Sequence, residues 1–138
     1  MTSRMTGLIA IASIAYAPIS AAQDAISVEP LLETDKTVLH QAFAYPAGRA
    51  KITSARLTVP PGGTVPLHYH PVPLFVYIEK GTITVDYGHR GKRTYRKGDA
   101  FVEAFEWPHY ARNTGKKDVV ILTVYAGAVG IQNSIPLE

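Results

Sequence analysis

The sequence predicts an all-β domain, a sandwich or barrel of short antiparallel strands. Two observations carry this prediction. Beyond residue 35 no window has a convincing helical period, while several alternate apolar and polar residues with period two. Eleven Gly and ten Pro are scattered along 138 residues, so turns recur between short apolar runs.

Taken in order, residues 1–22 have the three parts of an export signal. Arg4 is the short positive region, Leu8–Ala17 the apolar stretch, and Ser20 and Ala22 the small residues before a cleavage point. The apolar stretch falls short of the roughly 20 residues that cross a bilayer, and Pro18 breaks a helix there. A mature chain beginning near Gln23 is expected, with cleavage after Ala21 the alternative, and hence a bacterial periplasmic or secreted protein. An uncleaved anchor or a plain N-terminal helix is the competing reading of the segment. Residues 23–138 then form one domain, with its core over about 36–127. Val28–Asp35 reads as either an N-terminal strand or an ordered arm, and Gly130–Glu138 as a tail.

Lys51–Val59 alternates Ile52, Leu57 and Val59 with polar neighbours, apart from an irregularity at Ser54 and Ala55. Thr82–Tyr87 is rich in β-branched residues, and Arg93–Arg96 returns after Gly88 and Gly91, so 82–97 reads as a hairpin. Lys117–Ala126 is a longer, mostly apolar strand that suits a position buried on both faces.

Composition narrows the chemistry. The chain is 46% hydrophobic and 18% charged, ordinary for a folded domain. It has no Cys, which excludes disulfides, thiolate metal sites and thiol nucleophiles. The formal charge of +3, one unit of it from Arg4, is too weak to imply nucleic acid. No phosphate-binding loop, nucleophile elbow or dinucleotide fingerprint occurs, and no second apolar run is long enough to cross a membrane once the signal is removed.

Three of the five histidines are placed like metal ligands. His68 and His70 stand two apart in LHYHP, so on a strand both imidazoles face one side and Tyr69 the other. His109, in WPHYARN, lies far along the chain, and only a folded domain brings it to the first two. An H-x-H pair alone is a weak signal, more often two scattered surface histidines than half of a metal site.

The spacing around the histidines adds a resemblance. Gly62, His68, His70 and Gly81 match the first cupin motif, G-x5-H-x-H-x3-4-E-x6-G, and Gly98, His109 and Asn113 match the second, G-x5-P-x-G-x2-H-x3-N. The chain thus resembles the cupin superfamily, in particular its small exported single-domain bacterial members. The resemblance implies a double-stranded β-helix, or jelly-roll, barrel. It also implies a divalent transition metal (zinc, iron, manganese or nickel) on His68, His70 and His109, a small-molecule ligand and a homodimer. It spans dioxygenases, isomerases, decarboxylases and lyases, so it selects no reaction and no catalytic residue.

Three positions depart from the motifs. Leu74 stands where the motif glutamate is expected, and Ala104 and Glu106 replace the motif Pro and Gly. Two readings follow. Three imidazoles alone hold the metal and leave positions open for a polar or anionic molecule; alternatively, the metal site is degenerate and the barrel is a non-catalytic binding or sensing module.

Glu103, near His109, is a candidate second-layer partner or substitute ligand; Glu106 reads as solvent-facing. Leu74, Phe75, Tyr77, Trp107 and Tyr110 are the expected pocket lining. Asn113 is expected to fix a turn. The basic run Arg90, Lys92, Arg93, Arg96 and Lys97 reads as a solvated strand edge, and His40 and His89 as bystanders.

Overall fold

The computed structural model describes residues 26–138, so the expected signal, residues 1–22, lies outside the described residues. Nine strands follow in order: β1 Ala50–Val59, β2 Thr64–Tyr69, β3 Leu74–Lys80, β4 Thr82–Asp86, β5 Lys92–Arg96, β6 Ala100–Val102, β7 His109–Arg112, β8 Val119–Ala128 and β9 Ile135–Pro136. A single 3-10 turn at Gly88–Arg90 is the one helical element among the described residues.

The strands make two antiparallel sheets, ordered β1-β8-β3-β6 and β5-β4-β7-β2-β9. The chain passes between them at sharp turns. Gly81, between β3 and β4, has φ 81°, and a Cβ there would approach the Asp118 carbonyl to 2.8 Å. Only glycine fits both the left-handed backbone and the close approach.

Inward residues recur with period two. On β3, Leu74, Val76 and Ile78 are buried while Phe75 and Tyr77 are half-buried on the outer face. On β4, Ile83 and Val85 face inward. Together with Phe101, Ala111, Val119 and Ile121 these residues build one core between the sheets. Each fully buried aliphatic side chain there contributes about 1.5–3 kcal/mol of transfer free energy.

The predicted hairpin forms between β4 and β5, in register from Thr82↔Arg96 to Asp86↔Lys92. β5 is an edge strand, so the basic run lies along a solvated margin. Its charge opposes pairing with a foreign strand.

Two expectations require correction. β8 lies between β1 and β3, but its residues alternate between buried and half-buried, so one face is only partly covered. The cover on that outer face is an irregular N-terminal segment: Leu32, Phe43 and Tyr45 flank a shallow groove with Phe75 and Val124. The supposed tail beyond Gly130 instead returns to the sheet, where β9 pairs with β2 through His68↔Pro136 and Tyr69↔Ile135. Of the two readings of Val28–Asp35, the arm is observed. It has no strand pairing, and Val28 is 81% exposed.

Candidate metal centre

The ladder between β2 and β7 assembles the site. His68 and His109 are direct cross-strand partners, so their side chains share a face of the sheet. His70 lies two residues beyond His68, just past the end of β2, where it bridges to Phe105. The period of two keeps it on the same side. The three ring centroids are 4.7, 4.5 and 5.2 Å apart. One nitrogen from each ring lies within 4.8 Å of the others.

Each ring is held by a backbone carbonyl. Nδ1 of His68 lies 2.6 Å from the Pro66 oxygen, Nδ1 of His70 2.9 Å from the Asn133 oxygen, and Nδ1 of His109 2.8 Å from the Trp107 oxygen. A carbonyl can only accept, so every Nδ1 carries the hydrogen and donates it. In a neutral ring Nε2 is then a bare lone pair. Three such lone pairs face a common point, the tautomer and aim a metal requires.

The donor set fits a cation. Nε2 of His68 and Nε2 of His70 are 3.1 Å apart, and both rings have already spent their hydrogen on a carbonyl. Two bare lone pairs at that distance repel unless a positive charge lies between or beside them. Two nitrogens at the usual metal–nitrogen length of about 2.0–2.1 Å stand about 3.0–3.4 Å apart, so the gap is of the right size. A proton is the poorer occupant. Burial pulls the His68 and His109 imidazoles below the usual histidine range and that of His70 to about 3, because a charged ring loses its hydration there. His68, His70 and His109 are the residues that could hold the metal.

Glu103 stands beside this set. It is buried, and its Oε2 lies 3.9 Å from Nε2 of His109. Its Oε1 accepts hydrogen bonds from the Tyr87 hydroxyl and the Ala104 amide, both at 2.7 Å. The Tyr87 hydroxyl is in turn 3.1 Å from that of Tyr95. Burial raises the Glu103 carboxyl above the usual range, and these hydrogen bonds pull partly the other way. Burial likewise pushes Tyr95 up to about 12 and Tyr87 higher. The Glu103 amide donates to the Leu74 carbonyl at 2.9 Å. The carboxylate thus occupies the rung next to the motif position, one strand over, on β6's continuation instead of β3.

A cavity of about 300 Å³ opens from the imidazoles into the space between the sheets. Leu74 lines it as expected, but Phe75, Tyr77, Trp107 and Tyr110 do not. Alternation turns Phe75 and Tyr77 outward on β3. Tyr110 lies on the solvent side of β7, where its hydroxyl donates to Asp86 at 3.0 Å. Trp107 packs outside the cavity, its Nε1 donating to the Tyr87 carbonyl at 3.1 Å and the Arg90 guanidinium 5.3 Å from its ring. The lining is instead mostly aliphatic, with Val76, Ile78, Ile83, Val85 and Ile121 prominent and with Phe101 and Tyr125 as aromatic members besides the imidazoles.

Sequence reasoning missed five contributors. Asn133 orients His70 through its carbonyl, and the same segment places Ser134 and Pro136 at the cavity. Tyr87 holds Glu103, and Tyr125 lies 5.6 Å from the His70 ring. Backbone acceptors leave no mark in a sequence, but Tyr87, at the end of an apolar β-branched run, was a usable signal for a polar partner inside the core. Of the remaining residues, Asn113 is fully buried and holds its turn, bonding Val59, Lys117 and Gly115. His89 packs against Trp107 at 5.1 Å, and Glu106 is exposed.

Comparison with known proteins agrees with this construction. A family model described as the cupin domain matches residues 55–125. The oxalate decarboxylase of Lactobacillus farciminis, solved as a formate complex, is 28% identical over 62% of this chain and 26% of its own, with a TM-score of 0.52. The oxalate decarboxylase of Bacillus subtilis, studied for its Mn(II) centres, is 31% identical over 62% of this chain and 24% of its own, with a TM-score of 0.51. The chain therefore spans about a quarter of the length of these proteins. None of the curated proteins matches it. With the family model covering half of the chain and both motif blocks folded around one cluster of imidazoles, this protein belongs to the cupin domain family.

Proposed function

We propose that this chain is an exported, metal-dependent cupin. His68, His70 and His109 hold one divalent transition metal (zinc, iron, manganese or nickel), and a small polar or anionic molecule is bound or transformed beside it. The supporting observation is the set of three bare Nε2 atoms turned to one point, each ring fixed by a carbonyl behind it. The metal would supply Lewis acidity, or redox chemistry if it is iron or manganese. The protein's own part is to aim three neutral donors, exclude bulk water with the aliphatic walls, and hold Glu103 within reach of the His109 ring as an acceptor for a proton of the ligand. Manganese has added support from the Mn(II) centres of the Bacillus subtilis relative. Elemental analysis of the purified protein tests the reading. One equivalent of metal is expected in the native chain and none in His109→Ala, and a metal-free native protein under metal-replete expression would overturn it.

A second reading has one observation in its favour. Leu74 fills the motif carboxylate position inside an aliphatic cavity, as a non-catalytic ligand-binding barrel with a degenerate metal site requires. In that case the metal-free protein would keep its fold and bind an apolar molecule unaided.

The fold and cellular parts of the proposal are that the two sheets close as a jelly-roll barrel, that residues 1–22 direct export, and that two copies pair. Intact mass of the secreted protein, expected to begin near Gln23, and its sedimentation as a dimer test the last two.

A further inference from the structure

The cavity is more selective than its metal-binding end alone implies. Its walls are mainly branched aliphatic side chains from both sheets, Val76, Ile78 and Ile121 from one and Val65, Ile83 and Val85 from the other, with Phe101 beside the first group. Among the described residues that line it there is no Lys or Arg. The ionisable groups are the three imidazoles, Glu103 and Tyr125, and Glu103 adds an acceptor where a second carboxylate would need a donor. Of the two aliphatic hydroxyls at the walls, Thr123 already donates to the Ala55 carbonyl at 3.1 Å, and Ser134 lies on the C-terminal segment beside the imidazoles. A charge placed along these walls would be buried without a partner, which is strongly unfavourable.

Size gives the second constraint. An aliphatic cavity of about 150 Å³ takes benzene, and this one measures about 300 Å³. It therefore accommodates a body of roughly six to ten non-hydrogen atoms.

We infer that the ligand is a monoanion with an apolar body, its single anionic head at the three imidazoles and its hydrocarbon part against the aliphatic walls. The inference rests on the metal reading above and narrows it. A compact dianion such as oxalate fits the imidazole end and nothing else in the cavity.

Calorimetric titration of the zinc-loaded full chain tests this, with acetate, butyrate, hexanoate and oxalate as probes and zinc content read after each titration. Affinity is expected to rise roughly fourfold per added methylene, the effect of burying each one, and hexanoate to bind more tightly than oxalate. Val65→Phe, on the half-buried rim of the cavity, should stop the rise near butyrate while zinc content stays at the native value. If that variant fails to fold, Leu57→Arg serves instead. Leu57 lines the cavity and is 38% exposed, so the change is tolerable, and it should turn the preference toward oxalate by about tenfold. A flat series, or oxalate binding more tightly than hexanoate to native protein that holds zinc, overturns this inference and leaves the metal reading intact. Hexanoate binding equally well to zinc-free His109→Ala removes the anionic head from the imidazoles. Native protein that takes up no zinc overturns both the inference and the proposed function.

Discussion

The imidazole cluster and the Glu103 cluster lie side by side in one cavity, yet they are fixed in different ways. Each histidine is oriented by a main-chain carbonyl, from Pro66, Asn133 or Trp107. Glu103 is oriented by a side chain, the Tyr87 hydroxyl, and by the adjacent Ala104 amide. An orienter made of backbone survives substitution of its residue and fails only when the segment moves. An orienter made of a side chain is lost with one atom. The metal-binding half thus depends on the path of the backbone, and the acid-bearing half depends in part on one side chain.

Acid separates the two clusters most strongly. The imidazoles titrate lower when folded than unfolded, so between about pH 6.5 and pH 3 the unfolded chain binds more protons, and stability is lost as pH falls through that window. Glu103 is raised, so its contribution has the opposite sign above about pH 4.5. From His70 alone the loss between pH 7 and pH 4 is on the order of 3 kcal/mol. Denaturant unfolding of the metal-free protein across that range checks this, and a stability that holds steady or rises on acidification would contradict the neutral-imidazole cluster.

Removing residues 131–138 tests the backbone-held half. It deletes the Asn133 carbonyl behind His70 and the β9 rung on His68. Metal affinity should fall by about 10- to 100-fold, the usual effect of losing the group that orients a ligand, whereas Asn133→Ala should leave it nearly unchanged because the carbonyl remains. Competition with a chromogenic chelator reads both, and equal losses would refute the distinction between backbone and side-chain orienters.

Tyr87→Phe tests the side-chain-held half. It takes one hydrogen bond from a buried carboxyl and should lower stability by about 1–3 kcal/mol while metal content stays constant. A concurrent loss of metal would mean the two clusters are one unit. The smallest effect concerns the loop that leads to His109. Glu106 has φ 50°, a left-handed backbone at the position where the family motif carries Gly. Glu106→Gly should therefore stabilise the protein by about 1 kcal/mol, visible as a modest rise in melting temperature. A drop would show that the Glu106 side chain makes a compensating contact.

These contrasts also explain how far the sequence could be read. The three ligands were legible because spacing constrains them: two residues apart on a strand means one face, and the glycines framing them need special backbone. The pocket lining was not. β3 reads Leu-Phe-Val-Tyr-Ile, apolar on both faces, because its outer face is covered by the N-terminal segment. Proximity to His109 in sequence then favoured Trp107 and Tyr110, which alternation and an irregular turn direct outward. β8 misled for the same reason: a strand covered on one face and partly on the other resembles one buried on both. The role of the final residues left no signal, since a two-residue strand and a single carbonyl carry no composition or period.

Leu74 and Glu103 occupy adjoining rungs of the same cavity wall, joined by a main-chain hydrogen bond. A carboxylate and an aliphatic side chain could trade places between those rungs with little change in packed volume and none in topology. The strand that bears the acid decides how many coordination positions the protein fills and how many it leaves to a guest molecule. Reactivity in such a scaffold can therefore be retuned by a paired exchange across one ladder, without any rebuilding of the shell around it.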